Sequence, residues 1–270
     1  MSDGVFAGAC GQAFMPNISY TKWLLAIGLA IIAPAAAFAQ LNVITSGGFA
    51  APLRAILPDF QRASGITVVT TRGQSQGGGP NAIAAQLERG IPADVVVMSR
   101  EGLNGLIAQG RIVKGSNVDL AQTPLGVAVR VGAAKPDIKT VEAFRQTLLR
   151  AKSITFPSST TGIYMLTKLF PQLGIADRLA GKITHTGVAD VAKGNAELAI
   201  QPVSELLHVE GTEFVGAIPS DIQYISVFSC AAVRGGKQLE ASRRLIAFLK
   251  SNQAMEAIRH SGMQPLAAAK

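Results

Sequence analysis

Strand-like and helix-like segments alternate along most of this sequence, and this alternation constrains the fold more than any other feature. An apolar strand over 41–45 precedes a helix whose apolar residues recur at helical spacing between Phe49 and Phe60. Further strands are predicted over 66–71, 94–98, 124–131, 153–156, 182–186, 198–201, 213–217 and 222–233. Further helices are predicted over 82–89, 102–108, 140–150, 162–173, 239–249 and 254–260. This order predicts an α/β fold with parallel strands and helices on both faces of the sheet.

The chain has no Pro/Gly/Ser-rich linker, but two long predicted strands allow it to form two lobes. A chain that crosses between two lobes twice would use the strands over 124–131 and 222–233. The predicted division is then lobe 1 over 40–122 plus 234–270, lobe 2 over 134–221, and hinge strands over about 123–133 and 222–233.

Residues 1–39 contain the three parts of a cleavable secretory signal peptide. Lys22 precedes an apolar run that begins at Trp23, and the small-residue pattern Ala37-Phe38-Ala39 follows it. The run covers about 16 residues, fewer than the roughly 20 that span a bilayer, and an uncleaved anchor is the alternative. We therefore predict export, a mature chain that starts near Gln40, and Met15 as an alternative start of translation.

The net charge of +8 narrows the class of partners. A basic exported protein attracts anionic ligands or an anionic membrane surface. The sequence has no Lys/Arg run and no interleaving of basic and aromatic residues, which argues against nucleic acid as a partner. Cys10 lies in the signal region, so Cys230 would be the single cysteine of the mature chain, and we expect a buried, inert thiol there.

The stretch 72–80, RGQSQGGGP, contains the G-x-S-x-G pattern of a serine hydrolase around Ser75. A nucleophile elbow needs a helix directly after the serine, whereas three glycines and Pro80 intervene here. The three histidines, at 185, 208 and 260, have no obvious Asp partner. The glycines are not followed by Gly-Lys-Ser/Thr, which excludes a P-loop, and no HExxH or CxxC motif supports a metal site. We therefore expect no metal and no cofactor.

Five segments, taken together, resemble the molybdate-binding-like branch of the periplasmic substrate-binding proteins that serve ABC importers. They are SGGF (46–49), GQSQGGGPNAIAAQLERGIPADVVVM (73–98), SSTTGIYMLTKLFPQLGI (158–175), VAKGNAELAIQPVSEL (191–206) and LIAFLKSNQAMEAIRHSG (245–262). The resemblance implies a type II fold with two α/β lobes, two crossover hinge strands and a ligand in the cleft between the lobes. It also implies a periplasmic monomer that works with the membrane subunits of an importer.

In open α/β sheets ligands bind beyond the carboxyl ends of the strands. The loops at such positions, together with the resemblance, predict a site for a small anion, because helix starts and hydroxyl groups donate hydrogen bonds to anions. The predicted ligand-binding residues are Ser46, Gly47, Gly48, Arg72, Ser75, Gln76, Ser159, Thr161, Gly162, Ile163, Tyr164, Gln201 and Ser204.

Several of these residues have a simpler interpretation. Ser46 and Thr161 could serve only as helix caps. Tyr164 could be a core aromatic residue, and Gln201 could pair only with backbone. Arg72 could face solvent instead of forming a bidentate contact with a carboxylate.

The sequence differs from the molybdate-binding pattern in two loops. Molybdate binders of the family usually have a tyrosine in the segment occupied here by 201–204, and Ala-Ala-Ser-like residues where this chain has Ser46-Gly47-Gly48. The glycines after Gln76 leave more room than a compact tetrahedral oxyanion needs. We therefore favour a di- or tricarboxylate over molybdate.

The same branch includes aconitate isomerase, to which the SGGF, G-x-S-x-G-x-x-P-x-A-I and Q-x-V-S-E-L segments are similar. That resemblance would imply an allylic proton shift on a tricarboxylate, which needs a base with a suitable pKa. The predicted ligand loops contain no histidine and no carboxylate, and Glu205 and His208 follow the last loop. We interpret Glu205 as a solvated helix residue, leave the catalytic residue unassigned, and favour passive binding over catalysis.

Overall fold

The computed structural model of the protein describes residues 40–266. The predicted signal peptide and the final four residues of the predicted lobe 1 lie outside the described residues. Within 40–266, no helix is both long enough and apolar enough to cross a membrane.

The described chain folds into an α/β structure with short connections. The strands are β1 Gln40–Ser46, β2 Thr67–Gly73, β3 Val95–Ser99, β4 Val118–Arg130, β5 Ile154–Thr155, β6 Ile183–Thr184, β7 Leu198–Pro202, β8 Thr212–Ala217, β9 Ile225–Ala232 and β10 Gln264–Pro265. The helices are α1 Gly47–Ser64, α2 Ile83–Glu88, α3 Arg100–Ala108, α4 Val141–Arg150, α5 Thr160–Tyr164, α6 Phe170–Gln172, α7 Ala176–Leu179, α8 Val188–Lys193, α9 Val203–Leu206, α10 Leu239–Leu249 and α11 Asn252–His260. A π-helical turn, Met165–Leu169, joins α5 to α6, and 3₁₀ turns cover Ala180–Lys182 and Ser220–Ile222.

One hydrogen-bonded sheet runs through the described chain in the order β2-β1-β3-β9-β4-β7-β5-β6, and β8 and β10 both pair with β4. The long strand β4 connects two groups of strands. Its first part, up to Pro124, pairs with β9, and its second part, from Leu125, pairs with β7 and β8. A single strand therefore continues from one strand group into the other.

The buried apolar side chains form two separate sets that divide at β4. The first core takes its residues from 41–121 and 228–263, and it covers both faces of the β2-β1-β3-β9 group. The second core takes its residues from 125–222. No buried apolar residue of these clusters belongs to both cores, so each strand group has its own hydrophobic interior.

The observed sheet is mixed, which corrects the prediction of purely parallel strands. β1 pairs in parallel with β2 and β3, but β9 is antiparallel to both β3 and β4. The chain leaves the first group through β4 and re-enters it through β9, so these two neighbouring strands run in opposite directions. The strand predicted over 222–233 begins only at Ile225, because the Ser220–Ile222 turn precedes it.

Candidate functional site

The loops at the ends of β1, β2, β3 and β7 and the loop after β5 enclose a cavity of about 160 Å³. Elements of both strand groups contribute residues to its walls. The lining residues that matter most for its chemistry carry hydroxyl groups or charge: Ser46, Arg72, Ser75, Ser99, Ser159, Thr160, Thr161, Glu205 and Ser226. The cavity therefore combines many neutral donors with one cationic and one acidic side chain.

Ser46 ends β1 and stands directly before the first turn of α1. Its side chain is 3% exposed, and its Oγ has no hydrogen-bond partner among the described residues. It makes no side-chain cap bond to α1, so the helix-cap interpretation does not hold for this side chain. A buried hydroxyl without a partner costs about 1–3 kcal/mol, and a ligand atom in the cavity would remove that cost.

The two glycines after Ser46 let other groups approach the start of α1 closely. A Cβ atom on Gly48 would lie 2.1 Å from Cζ of Phe228, and one on Gly47 would lie 3.0 Å from Oε2 of Glu205. The first backbone N–H groups of a helix have no partner within the helix, and the helix dipole is positive at this end. Glycine therefore brings the aromatic ring and the carboxyl group against a site that favours anions.

Ser75 is buried at the wall of the cavity, but nothing in its surroundings activates it as a nucleophile. Its Oγ accepts a 2.8 Å hydrogen bond from the backbone N–H of Ser99. No hydrogen bond within residues 40–266 joins Ser75 to a histidine. Its carbonyl oxygen lies 2.1 Å from the position that a Cβ on Gly102 would take, so glycine at 102 lets α3 pack against this loop.

Beside the cavity, hydrogen bonds join the loop after β2 and the end of β3 to the segment after β5. The backbone N–H of Gln76 donates to Oγ of Ser159 at 3.0 Å, and the hydroxyls of Ser99 and Thr160 are 2.9 Å apart. Gln76 thus contacts the second strand group through its backbone and does not line the cavity. These bonds hold elements of the two groups together beside the cavity.

Two residues predicted together at the end of β7 lie near the start of α1. Oγ of Ser204 donates to the carbonyl oxygen of Gly48 at 3.0 Å, which ties α9 to α1. Gln201 is 3% exposed and lies behind the cavity wall. Both residues line a groove adjoining the cavity, with Arg72 and Glu205 between the two spaces.

The predicted ligand-binding residues between 159 and 164 face different environments. Thr161 is buried and lines the cavity with Ser159, whereas Ile163 is 38% exposed and does not line it. A Cβ on Gly162 would lie 2.4 Å from the carbonyl oxygen of Pro157, so this glycine serves close backbone packing.

Tyr164 packs away from the cavity. Its ring stacks on Tyr224 with centroids 4.9 Å apart, and its hydroxyl donates to the carbonyl oxygen of Ile222 at 2.8 Å. Tyr164 also packs against the second core. The structure therefore matches the interpretation of Tyr164 as a packing residue.

Glu205 is partly buried and lines the cavity, which corrects its interpretation as a solvated helix residue. Burial raises the pKa of the Glu205 carboxyl to about 7, although the hydrogen bond from Gln201 and the charge of Arg72 act in the opposite direction. Arg72 is exposed at the end of β2 and lines the cavity. A carboxyl group with such a pKa can both take and return a proton near neutral pH.

Besides Glu205, sequence reasoning missed five polar or aromatic wall residues: Gln74, Ser99, Thr160, Ser226 and Phe228. Ser99 could have been found, because it ends β3 next to β1 and so lies at the same sheet edge as Ser46. Ser226 and Phe228 belong to β9, whose antiparallel insertion beside β3 has no signal in the sequence. Within the described range, no group of three metal-ligating side chains could hold a metal ion.

Comparison with known proteins gives a family and two relatives. The profile of the family described as "Bacterial extracellular solute-binding protein" matches residues 41–264. Aconitate isomerase from Pseudomonas sp. is 38% identical over 232 residues, which cover 84% of this chain and 88% of that protein. The molybdate-binding protein ModA of Azotobacter vinelandii is 26% identical over 262 residues, covering 91% and 98% of the two chains.

Solved structures show the same fold. The periplasmic molybdate-binding protein of Azotobacter vinelandii superposes with a TM-score of 0.66 at 19% identity, covering 85% of this chain and all of that chain. This likeness confirms the predicted two-lobed, type II periplasmic-binding-protein fold. Proteins of this family bind small ligands and work with membrane subunits. From its fold and its sequence together, this chain belongs to the bacterial extracellular solute-binding protein family.

Proposed function

We propose that this protein is a periplasmic solute-binding protein of an ABC importer and that it holds a small carboxylate anion in the cavity. The proposed lobes are 40–122 plus 234–270 and 134–221, joined by hinge strands near 123–133 and 222–233. The two separate hydrophobic cores support this division, because each lobe would then have its own interior. The cavity lies between the proposed lobes.

One observation carries the proposal of an anion ligand. The Oγ of Ser46 is buried and has no partner among the described residues, and Ser46 lines the cavity directly before the 18-residue helix α1. A hydroxyl in that position can donate to an anionic oxygen that the helix N–H groups also bind.

Arg72 supplies a cationic donor for a bound anion. Its planar guanidinium can bond both oxygens of a carboxylate. Ser159, Thr160 and Thr161 line the cavity from the segment after β5 and carry hydroxyl groups that can donate to a ligand. Donors from both strand groups fit a ligand with carboxylate groups at more than one end.

A thermal-shift screen of the purified protein tests this proposal. The panel contains molybdate, tungstate, sulfate, citrate, cis- and trans-aconitate, and other di- and tricarboxylates. A ligand that binds only the folded protein adds roughly 2.7 kcal/mol of stability at 100 times its Kd. We expect stabilisation by a di- or tricarboxylate, and stabilisation by molybdate or tungstate alone would contradict the proposal.

Aconitate isomerase is the second candidate function. Two observations favour it: the 38% identity to the Pseudomonas enzyme, and a carboxyl group with a pKa of about 7 in the wall of the cavity. Proton NMR of the protein with either aconitate isomer distinguishes the two functions. Appearance of the other isomer indicates catalysis, and an unchanged bound ligand indicates passive binding.

A further inference from the structure

We propose that Glu205 is the catalytic residue that moves a proton along the carbon chain of the bound ligand, and that Gln201 positions it. The inference rests on the proposed carboxylate site and adds a reaction to it. The substrate class is an unsaturated tricarboxylate with a methylene group next to its double bond.

Gln201 fixes one oxygen of the Glu205 carboxyl. The side-chain oxygen of Gln201 accepts a 2.6 Å hydrogen bond from the backbone N–H of Val188. This bond determines the orientation of the amide, because only Oε1 of Gln201 can accept. Nε2 of Gln201 must then face Glu205, and it donates to Oε2 at 2.7 Å.

The second oxygen of Glu205 remains free for chemistry. Oε1 makes no hydrogen bond to any of the residues 40–266, and Glu205 contributes to the cavity wall. One oxygen is therefore held in place while the other can accept a proton. A positioned general base requires this arrangement, in which one carboxyl oxygen is held and the other is free to accept a proton.

The carboxyl group also lies beside the proposed anion-binding position. A Cβ on Gly47 would be 3.0 Å from Oε2 and 3.6 Å from Oε1 of Glu205, and Gly47 directly follows Ser46. A ligand carboxylate bound by Ser46 and the start of α1 would therefore have its neighbouring carbon atoms next to Glu205.

The charges around Glu205 allow both protonation states near neutral pH. Arg72 at the end of β2 faces it, and Arg54 of α1 and His208 after α9 line the adjoining groove. Burial raises the pKa of Glu205 to about 7, so a base that has accepted a proton can release it again.

The proposed step balances without a co-reactant. Glu205 takes a proton from the methylene carbon, and that C–H electron pair forms a new double bond to the central carbon. The original double bond opens toward its far carbon, which then receives the proton from Glu205. The ligand keeps all its atoms and its oxidation state. The charge that develops on its carboxylate oxygens is stabilised by the donors of Ser46, α1 and Arg72.

The test compares the full-length protein with its Glu205→Gln variant. Calorimetry with tricarballylate, a saturated tricarboxylate that cannot rearrange, measures binding, and proton NMR with cis- and trans-aconitate measures conversion. Glutamine can keep the bond to Gln201, and circular dichroism checks the fold. Glu197→Gln is the matched control, because Glu197 accepts a 2.7 Å bond from the Lys152 amide outside the cavity.

We expect Glu205→Gln to bind tricarballylate at least as tightly as the unchanged protein and to lose about 10²- to 10⁴-fold in conversion rate. Conversion by Glu205→Gln at the original rate would overturn the role of Glu205 and leave carboxylate binding intact. An unchanged protein that binds tricarballylate but converts neither isomer would overturn the catalytic proposal alone. Failure to bind any carboxylate would overturn the proposed function as well.

The Gln201→Met variant tests whether Gln201 positions Glu205, through the dependence of the conversion rate on pH. The hydrogen bond from Gln201 lowers the pKa of Glu205, so its loss raises that pKa. We expect the acidic limb of the rate profile to move to higher pH. A profile with lower rates at every pH and an unmoved limb would contradict the positioning role.

Discussion

The backbone N–H of Gln76 donates a 3.0 Å hydrogen bond to Oγ of Ser159, which is 83 residues away in the sequence. The bond joins the loop after β2, beside the first core, to the loop after β5, beside the second core. It therefore closes one side of the cavity.

Replacement of Ser159 by Ala should weaken ligand binding by opening this side of the cavity. Loss of one neutral hydrogen bond costs about 0.5–1.5 kcal/mol, which corresponds to about two- to thirteenfold in affinity. Titration calorimetry with the ligand from the thermal-shift screen measures this change. Ser220→Ala, at an exposed serine whose hydroxyl donates to the neighbouring Asp221, is the control and should bind normally. Equal affinity of both variants would show that the bond does not contribute to closure.

Replacement of Ser46 by Ala should weaken binding without destabilising the ligand-free protein. The Oγ of Ser46 has no partner to lose, and its removal relieves a buried, unsatisfied group. A hydrogen bond to a charged ligand is worth about 1.5–3 kcal/mol, so affinity should fall by at least about tenfold.

The matched control for Ser46 is Ser242, which is 1% exposed and donates to the carbonyl oxygen of Gln238 at 2.7 Å. Ser242→Ala should lower the free energy of unfolding and leave affinity unchanged. Urea denaturation and calorimetry on both variants separate the two effects. A Ser46→Ala protein that is less stable and binds normally would refute the assignment.

Replacement of Gly48 by Ala should destabilise the protein and distort the cavity. The new Cβ would lie 2.1 Å from Cζ of Phe228, which is 4% exposed and cannot move outward freely. Overpacking of this kind costs about 1–3 kcal/mol. Gly78→Ala is the control, because a Cβ at that position would have no atom within 4 Å and the φ of Gly78 is not positive. Urea unfolding should show a loss for Gly48→Ala and little change, or a small gain, for Gly78→Ala.

The stability of the ligand-free protein should fall as pH rises from about 4.5 to about 7. The pKa of Glu205 is about 7 in the folded protein, above its ordinary value of 4.5, so the folded state binds more protons in this window. The contribution of Glu205 to the free energy of unfolding is complete below pH 4.5 and is lost above about pH 7. It amounts to at most about 3 kcal/mol.

Glu205→Gln should remove this fall of the free energy of unfolding with pH, whereas the Glu197→Gln control should keep it. Urea unfolding at several pH values between 4 and 8 measures it, and the charges of Arg54, Arg72 and His208 stay in place in both variants. An identical slope in the two variants would mean that Glu205 has an ordinary pKa.

Replacement of Arg72 by Ala should weaken carboxylate binding and leave folding almost unaffected, because Arg72 is exposed at the end of β2. Loss of a charge-assisted bond costs about 1.5–3 kcal/mol, or roughly 10- to 100-fold in affinity. Arg72→Lys should keep only part of the affinity for the carboxylate, since an ammonium group lacks the planar, two-pronged geometry of a guanidinium. Arg243→Ala, at an exposed arginine of α10, should bind as the unchanged protein does. Full affinity of Arg72→Ala, measured by calorimetry, would remove Arg72 from the site.

The sequence was a good guide where local pattern decides the structure. The helix predicted over 239–249 has the observed bounds, and the cap that Thr140 makes with the Ala143 amide was expected from residue type. Ser46, Ser75, Ser159 and Thr161, which the sequence predicts to bind the ligand, line one cavity, because residues that follow the carboxyl ends of strands meet at one edge of the sheet.

Position along the chain did not predict which residues line the cavity where neighbours in sequence face different environments. Ile163 and Tyr164 follow Thr161 closely, yet one is exposed and the other packs on Tyr224. A helix turns its successive side chains to different sides, and only the packing of α5 determines which side faces the cavity.

By itself the sequence determined the α/β alternation, the family and the loops that carry the polar groups, because periodicity, glycine positions and end-of-strand hydroxyls are local properties. The tertiary structure alone decided the antiparallel placement of β9, the unpartnered state of Ser46 and the burial of Glu205. These features depend on contacts between residues more than 100 positions apart, such as Ser204 with Gly48. The pKa of a carboxyl group depends on what surrounds it, and that environment forms only when α1 and α9 pack together.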